Sequence, residues 1–199
     1  MNRVIKLLLV SDIFLTSGFG LIEPVMAIFI KDNIFGGQIY KAGIASALFL
    51  LTKSCVQLPF SRYVDTHDRS VLWLIIGSLC IAVVPFGYMY ATRIEWIYAV
   101  QVIYGIGSGL AYPTWLGLWS THLDGHHESF EWSLYSTMTG LGTAGAAATG
   151  AVLAQFIGFK LTFLFVGLLS LAGCGILFLL SNEKAPVQRK RRGKRIMPR

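Results

Sequence analysis

Along the 199 residues of this chain, long apolar runs alternate with short polar interruptions. Six runs, at about 4–30, 39–62, 71–91, 95–119, 132–157 and 160–181, each exceed 20 residues. That length crosses a hydrocarbon core about 30 Å thick at about 1.5 Å per residue of helix. The pattern predicts six transmembrane helices. Their connections (31–38, 63–70, 92–94, 120–131 and 158–159) are short, so successive helices are antiparallel neighbours. Arg3 and Lys6 precede the first run as the basic start of a signal peptide would. Asp12, however, interrupts its apolar stretch, no small-residue cleavage site follows, and the run continues to Ile30. It reads as a span.

Polar positions sort the spans, because polar side chains in membrane helices turn toward protein or water rather than lipid. Asp12, Thr16 and Glu23 in the first span fall within about 40° of one another at 100° per residue. Ser46, Lys53 and Gln57 form the same kind of face in the second. The fourth carries Gln101, Ser108, Tyr112, Trp115 and Trp119, with Tyr104 at the edge of the stripe, and the fifth carries Ser136, Thr139 and Thr143 below Trp132. The third and sixth have little beyond Ser78 and Ser170. Spans 1, 2, 4 and 5 are therefore expected to line an interior, and spans 3 and 6 to face lipid.

Small hydroxyl residues also pack helices, so Ser136, Thr139 and Thr143 read equally well as packing or as lining. Packing does not account for Asp12, Glu23 and Lys53, which cost about 2.5–3.5 kcal/mol each at a helix centre on insertion scales. Measured from the span midpoints, Asp12 lies about 7 Å and Lys53 about 3 Å toward the same side. They match in depth, and a pair between them is either a structural bridge or one that responds to substrate. Glu23 lies about 9 Å toward the other side. It precedes Pro24, which removes a backbone hydrogen bond and invites a kink, and it is the candidate proton or cation site.

Composition agrees with a membrane protein: 54% of residues are hydrophobic and 14% charged, against about a quarter charged in soluble domains. The basic residues set the orientation. With both termini cytoplasmic, 12 of the 17 Lys and Arg lie inside and four outside, with Lys53 within a span. Residues 1–182 form the transmembrane domain, and 183–199 a basic cytoplasmic tail expected to be disordered. Its run "QRKRRGKR" at 188–195 reads as a topology signal that attracts anionic lipid, at about 1 kcal/mol per residue, rather than as a nucleic-acid contact. Cys55, Cys80 and Cys174 lie in separate spans without paired spacing. No disulfide, metal or cofactor is expected. His122 and His126, at i and i+4, lack a further fixed ligand and read as part of a solvated loop.

Glycine is concentrated in "GIGSG" at 105–109 and "GLGTAGAAATG" at 140–150. Gly105, Gly109, Gly142, Gly145 and Gly150 are expected to let helices approach closely, which outweighs any phosphate-cradle reading.

The loop "SRYVDTHDRSVLW" at 61–73 resembles the signature between the second and third helices of the major facilitator superfamily. Asp65 matches that family's Asp and Arg69 a basic position, while Ser61, Thr66 and Asp68 depart from the pattern. "QVIYGIGSGLAYPTWLGL" at 101–118 is similar to the family's fourth helix, with Gln101 at a position where Arg is typical. "GFKLTFLFVGLLSL" at 158–171 looks like the entry into its sixth. The resemblance runs through 1–182 in order and implies an all-α fold equal to the six-helix N-terminal half of a twelve-helix bundle. It also makes Asp65 and Arg69 a gating loop.

The expected function is therefore secondary transport of a small solute by alternating access in the cell (plasma or inner) membrane, with a coupling proton or cation. A homodimer or a partner six-helix half would complete the cavity. The alternative is a non-transporting assembly or regulatory subunit derived from a transporter half. An enzyme is not expected, because no Ser/Lys, paired-Asp or His–Glu arrangement shares a face at matched depth. The lining would suit sugars, drugs and amphipathic organic ions alike.

Overall fold

The computed structural model describes residues 3–66, 70–123 and 127–181. Its helices are α1 (Arg3–Ile22), α2 (Met26–Asn33), α3 (Ile39–Thr66), α4 (Ser70–Met89), α5 (Ile94–His122), α6 (Glu128–Ile157) and α7 (Phe159–Ser181), and a 3-10 turn, Glu23–Val25, joins α1 to α2. The first span is thus one helix broken at Pro24, where the missing N–H and the ring tighten the chain for a turn. The other spans are single helices. Pro59, Pro85 and Pro113 lie within α3, α4 and α5 without ending them, as membrane helices tolerate when neighbours re-satisfy the freed carbonyls.

Among the described residues, five spans are long and apolar enough to cross a membrane on composition alone, with Arg3–Asn33 counted as one. The sixth, α5, has 29 residues but dilutes its apolar content with Gln101, Tyr104, four glycines between 105 and 117, and Tyr112. Neighbouring helices enclose it instead, so that Gln101, Gly105, Gly107, Ser108, Gly109 and Trp115 are buried.

The packing repeats itself. α1 lies against α6 and α7, α5 lies against α3 and α4, and α4 meets α7. Exchanging the first three spans for the last three, in order, maps each of these contacts onto another or onto itself. The six spans are two three-helix groups of opposite direction, an internal inverted repeat. The front row runs α3, α5, α1, α6, and α4 and α7 stand behind it. Glycine makes the two equivalent seams close. A Cβ at Gly105 would lie 2.7 Å from Thr52 Cβ, and one at Gly109 2.8 Å from Val56 Cβ, both on α3. On the other side a Cβ at Gly142 would lie 2.6 Å from Ser17 Oγ, and one at Gly150 would collide with the Leu21 backbone. Gly145 differs from expectation. No atom lies within 4 Å of its Cβ position, because it turns away from α1 onto the open face of α6.

Two apolar cores sit at opposite ends of the bundle. One gathers Leu21, Phe29, Tyr88, Ile97 and Phe163; the other gathers Ile5, Leu8, Leu74, Trp115 and Trp119. The back helices turn Leu79, Val83, Leu161, Phe165 and Leu168 outward. The end helices α3 and α6 are the least buried, with Leu50, Leu51, Leu141 and Val152 exposed.

The 63–70 and 120–131 connections are shorter than expected. α3 continues to Thr66, so Asp65 stands exposed in its last helical turn rather than in a loop. Phe60 and Tyr63 lie 5.2 and 5.9 Å from the Trp73 ring, edge-on, and tie the end of α3 to the start of α4. Arg69, Asp68, His126 and the 183–199 tail lie outside the described residues. At the other end, the Phe35 N–H donates to the Thr92 carbonyl at 2.9 Å, so the 34–38 and 91–93 connections run side by side.

Candidate functional site

α1 and α5 meet only sparingly along the front row. The gap between them, backed by α4 and α7 and lying between the two apolar cores, is a cavity of about 160 Å³. α1 supplies Asp12 and Thr16, α3 supplies Lys53, α5 supplies Ser108, Tyr112 and Trp115, and α6 supplies Tyr135. Leu74, Ser78 and Ile81 of α4 and Leu177 of α7 form the floor. The back helices therefore serve two faces: lipid outside and cavity inside. Without a polar stripe, the inner face was not visible in the sequence.

Asp12 and Lys53 share this cavity but do not pair. The Tyr135 hydroxyl donates to Asp12 Oδ2 at 2.9 Å. Lys53 Nζ lies 4.8 Å from the centroid of the Tyr112 ring, a cation–π distance. The expected ion pair is thus replaced by two separate tyrosine contacts. Matched depth placed the two charges at one level, but α3 and α1 lie on opposite sides of α5, and the reach between them was not set by depth. Thr16 spends its hydroxyl on the Asp12 carbonyl at 2.8 Å, and Ser11 on the Leu8 carbonyl at 2.9 Å.

Aromatic rings close both ends of the cavity. Tyr104 is stacked between Phe19, at 4.5 Å, and Phe49, at 4.2 Å, bringing α1, α5 and α3 together. At the other end Trp115 stacks on Trp119 at 5.0 Å, and Tyr135 lies 4.7 Å from Trp115. The Trp115 indole N–H is buried without an acceptor.

Of the residues singled out from sequence, Asp12, Thr16, Lys53, Ser108, Tyr112 and Trp115 come together here. Three do not line the cavity. Glu23 is exposed in the 3-10 turn, Gln57 is half-buried farther along α3, and Gln101 is buried with its Oε1 unpartnered. On α6, Thr143 packs against Gly20 of α1, which decides its role as packing. Thr139 bonds back to the Tyr135 carbonyl at 2.8 Å, and Ser136 is exposed. Tyr135 itself was missed, although it stands three residues after Trp132 and four before Thr139. Reading that spacing as one face would have found it.

A chain folded as an inverted repeat of long apolar helices around a charged internal cavity is a multi-pass membrane protein. The comparisons identify the kind. The family model described as the Major Facilitator Superfamily matches residues 8–198, and the chain belongs to that superfamily, whose members among its relatives are transporters. It is 24% identical over 177 residues to the multi-drug resistance efflux pump PmrA homolog of Lactococcus lactis, covering 87% of this chain and 43% of that protein. It is 22% identical over 133 residues to the proton-coupled antiporter flippase LtaA of Staphylococcus epidermidis, covering 64% of this chain and 34% of that one. Among solved structures, the POT family transporter PepTSo superposes with a TM-score of 0.77 at 15% identity, over 90% of this chain and 37% of its own. That likeness is one of fold. The chain spans less than half the length of the relatives it matches.

Proposed function

We propose that this chain forms one six-helix half of a secondary transporter that moves a small solute by alternating access, and that a second six-helix unit closes its cavity. The carrying observation is the open cavity between α1 and α5, which holds Asp12 and Lys53 unpaired with each other. Charged side chains within membrane spans are costly and mark solute or ion routes in membrane proteins. The second unit is another copy of this chain, a partner chain, or a further segment of a longer chain. It covers α3 and α6, whose exposed apolar faces and small residues, Gly145 and Ala148 among them, leave room for close helix approach.

Asp12 is the candidate proton carrier, in keeping with the name of the LtaA relative. Both termini are cytoplasmic and the membrane is the plasma or inner membrane, as the basic residues argue. In alternating access the two units rock about the cavity and open it to either side in turn. The test is cross-linking in native membranes. Single cysteines on the open faces of α3 and α6 should trap an adduct with the second unit, whereas cysteines on the outer faces of α4 and α7 should not. A six-helix unit that remains alone in native membrane refutes the assembly.

A further inference from the structure

Taking the transport reading above as its basis, we propose that the solute is zwitterionic: a small body with an aromatic or alicyclic middle, whose cationic group docks at Asp12 and whose anionic group docks at Lys53. Asp12 and Lys53 line one cavity, yet each is engaged by a neutral tyrosine rather than by an opposite charge. A cation–π contact offsets only part of the cost of desolvating an ammonium. A hydroxyl donor likewise leaves a carboxylate's charge uncancelled.

A solute with a positive charge alone would compensate Asp12 and leave the half-buried Lys53 in the same cavity without an anion. A solute with a negative charge alone would do the reverse. A buried charge is tolerated when it is paired and hydrogen-bonded, and a zwitterion meets that condition at both positions together. The rest of the lining fits such a molecule. Phe19, Tyr104 and Trp115 add aromatic edges to the wall of the same cavity.

Three compounds sharing one ring provide the test: 4-(aminomethyl)benzoate, with both charges; 4-methylbenzylamine, with the positive charge alone; and 4-methylbenzoate, with the negative. Binding of each radiolabelled compound to the full chain in its natural membrane assembly is measured by scintillation proximity in nanodiscs. Counterflow into proteoliposomes is measured in parallel. The zwitterion is expected to bind at least tenfold tighter than either relative. Lys53→Gln should erase its advantage over the amine while keeping its advantage over the acid, Asp12→Asn should do the opposite, and Lys53→Arg should restore the wild-type order. Equal binding of all three, binding of none, or a uniform loss for all three in Lys53→Gln overturns the proposal. The charge pattern without counterflow upholds it and sinks the transport reading. Counterflow of the amine alone sinks it and leaves the transport reading standing.

Discussion

Gly109 stands where α5 presses on α3, and its side of α5 has no room for a single added carbon. A Cβ there would lie 2.8 Å from Val56 Cβ and 3.0 Å from the Lys53 carbonyl oxygen. Favourable carbon contacts begin near 3.5 Å, so Gly109→Ala must push the two helices apart by roughly half an ångström or more. Crowding of this kind costs about 1–3 kcal/mol. Against it stands the entropy gained on replacing a helical glycine, about 0.5–1 kcal/mol. Gly117, two turns further along the same helix, provides the control, because no atom lies within 4 Å of its Cβ position. There alanine brings the entropy gain alone. The two variants therefore differ by the crowding term, and at about 2–4 °C per kcal/mol a mid-range 2 kcal/mol separates their melting temperatures by about 4–8 °C. Scanning fluorimetry of the two variants in one detergent measures this directly. The obstructing oxygen belongs to Lys53 itself, so Gly109→Ala should also displace that ammonium from Tyr112 and lower solute affinity more than Gly117→Ala does. A Gly109→Ala chain that melts at or above Gly117→Ala would refute the close seam.

Gly145→Leu should leave the melting temperature of the isolated chain within about 2 °C, a shift of under 1 kcal/mol, because its Cβ position is open. The same change should weaken association with the second unit, read as loss of the cross-linked adduct. Asp12→Asn retains an oxygen for the Tyr135 hydroxyl and removes the charge; uptake in proteoliposomes should fall at least tenfold, about 1.4 kcal/mol, with the fold intact by fluorimetry. For topology, an impermeant maleimide on whole cells should label a cysteine at Phe35 and spare one at Thr66, and the reverse pattern would invert the orientation. Asp65→Asn should alter the transport rate more than expression. Equal wild-type values for both would reduce the end of α3 to a spacer.

The hydrophobic pattern alone established six spans, their order and the break at Pro24, because crossing lipid demands a long apolar helix and proline lacks the donor that continues one. Family membership was also legible, in the 61–73 and 101–118 segments. The stripe rule brought Asp12, Thr16, Lys53, Ser108, Tyr112 and Trp115 toward one interior, since a single helix turns at a known angle per residue. What a helix-by-helix reading does not contain is the distance between neighbours. Depth matched Asp12 with Lys53, but the spread of α1 from α5 and the placement of α3 gave each charge to a different tyrosine. Tyr135 reached the site from α6, and Ser78 and Leu177 reached it from helices with no stripe at all. Gly145 carries the same small side as Gly142 and Gly150, yet helical phase turns it away from α1. Periodicity along one helix names the face; only the packing of several helices decides what that face meets.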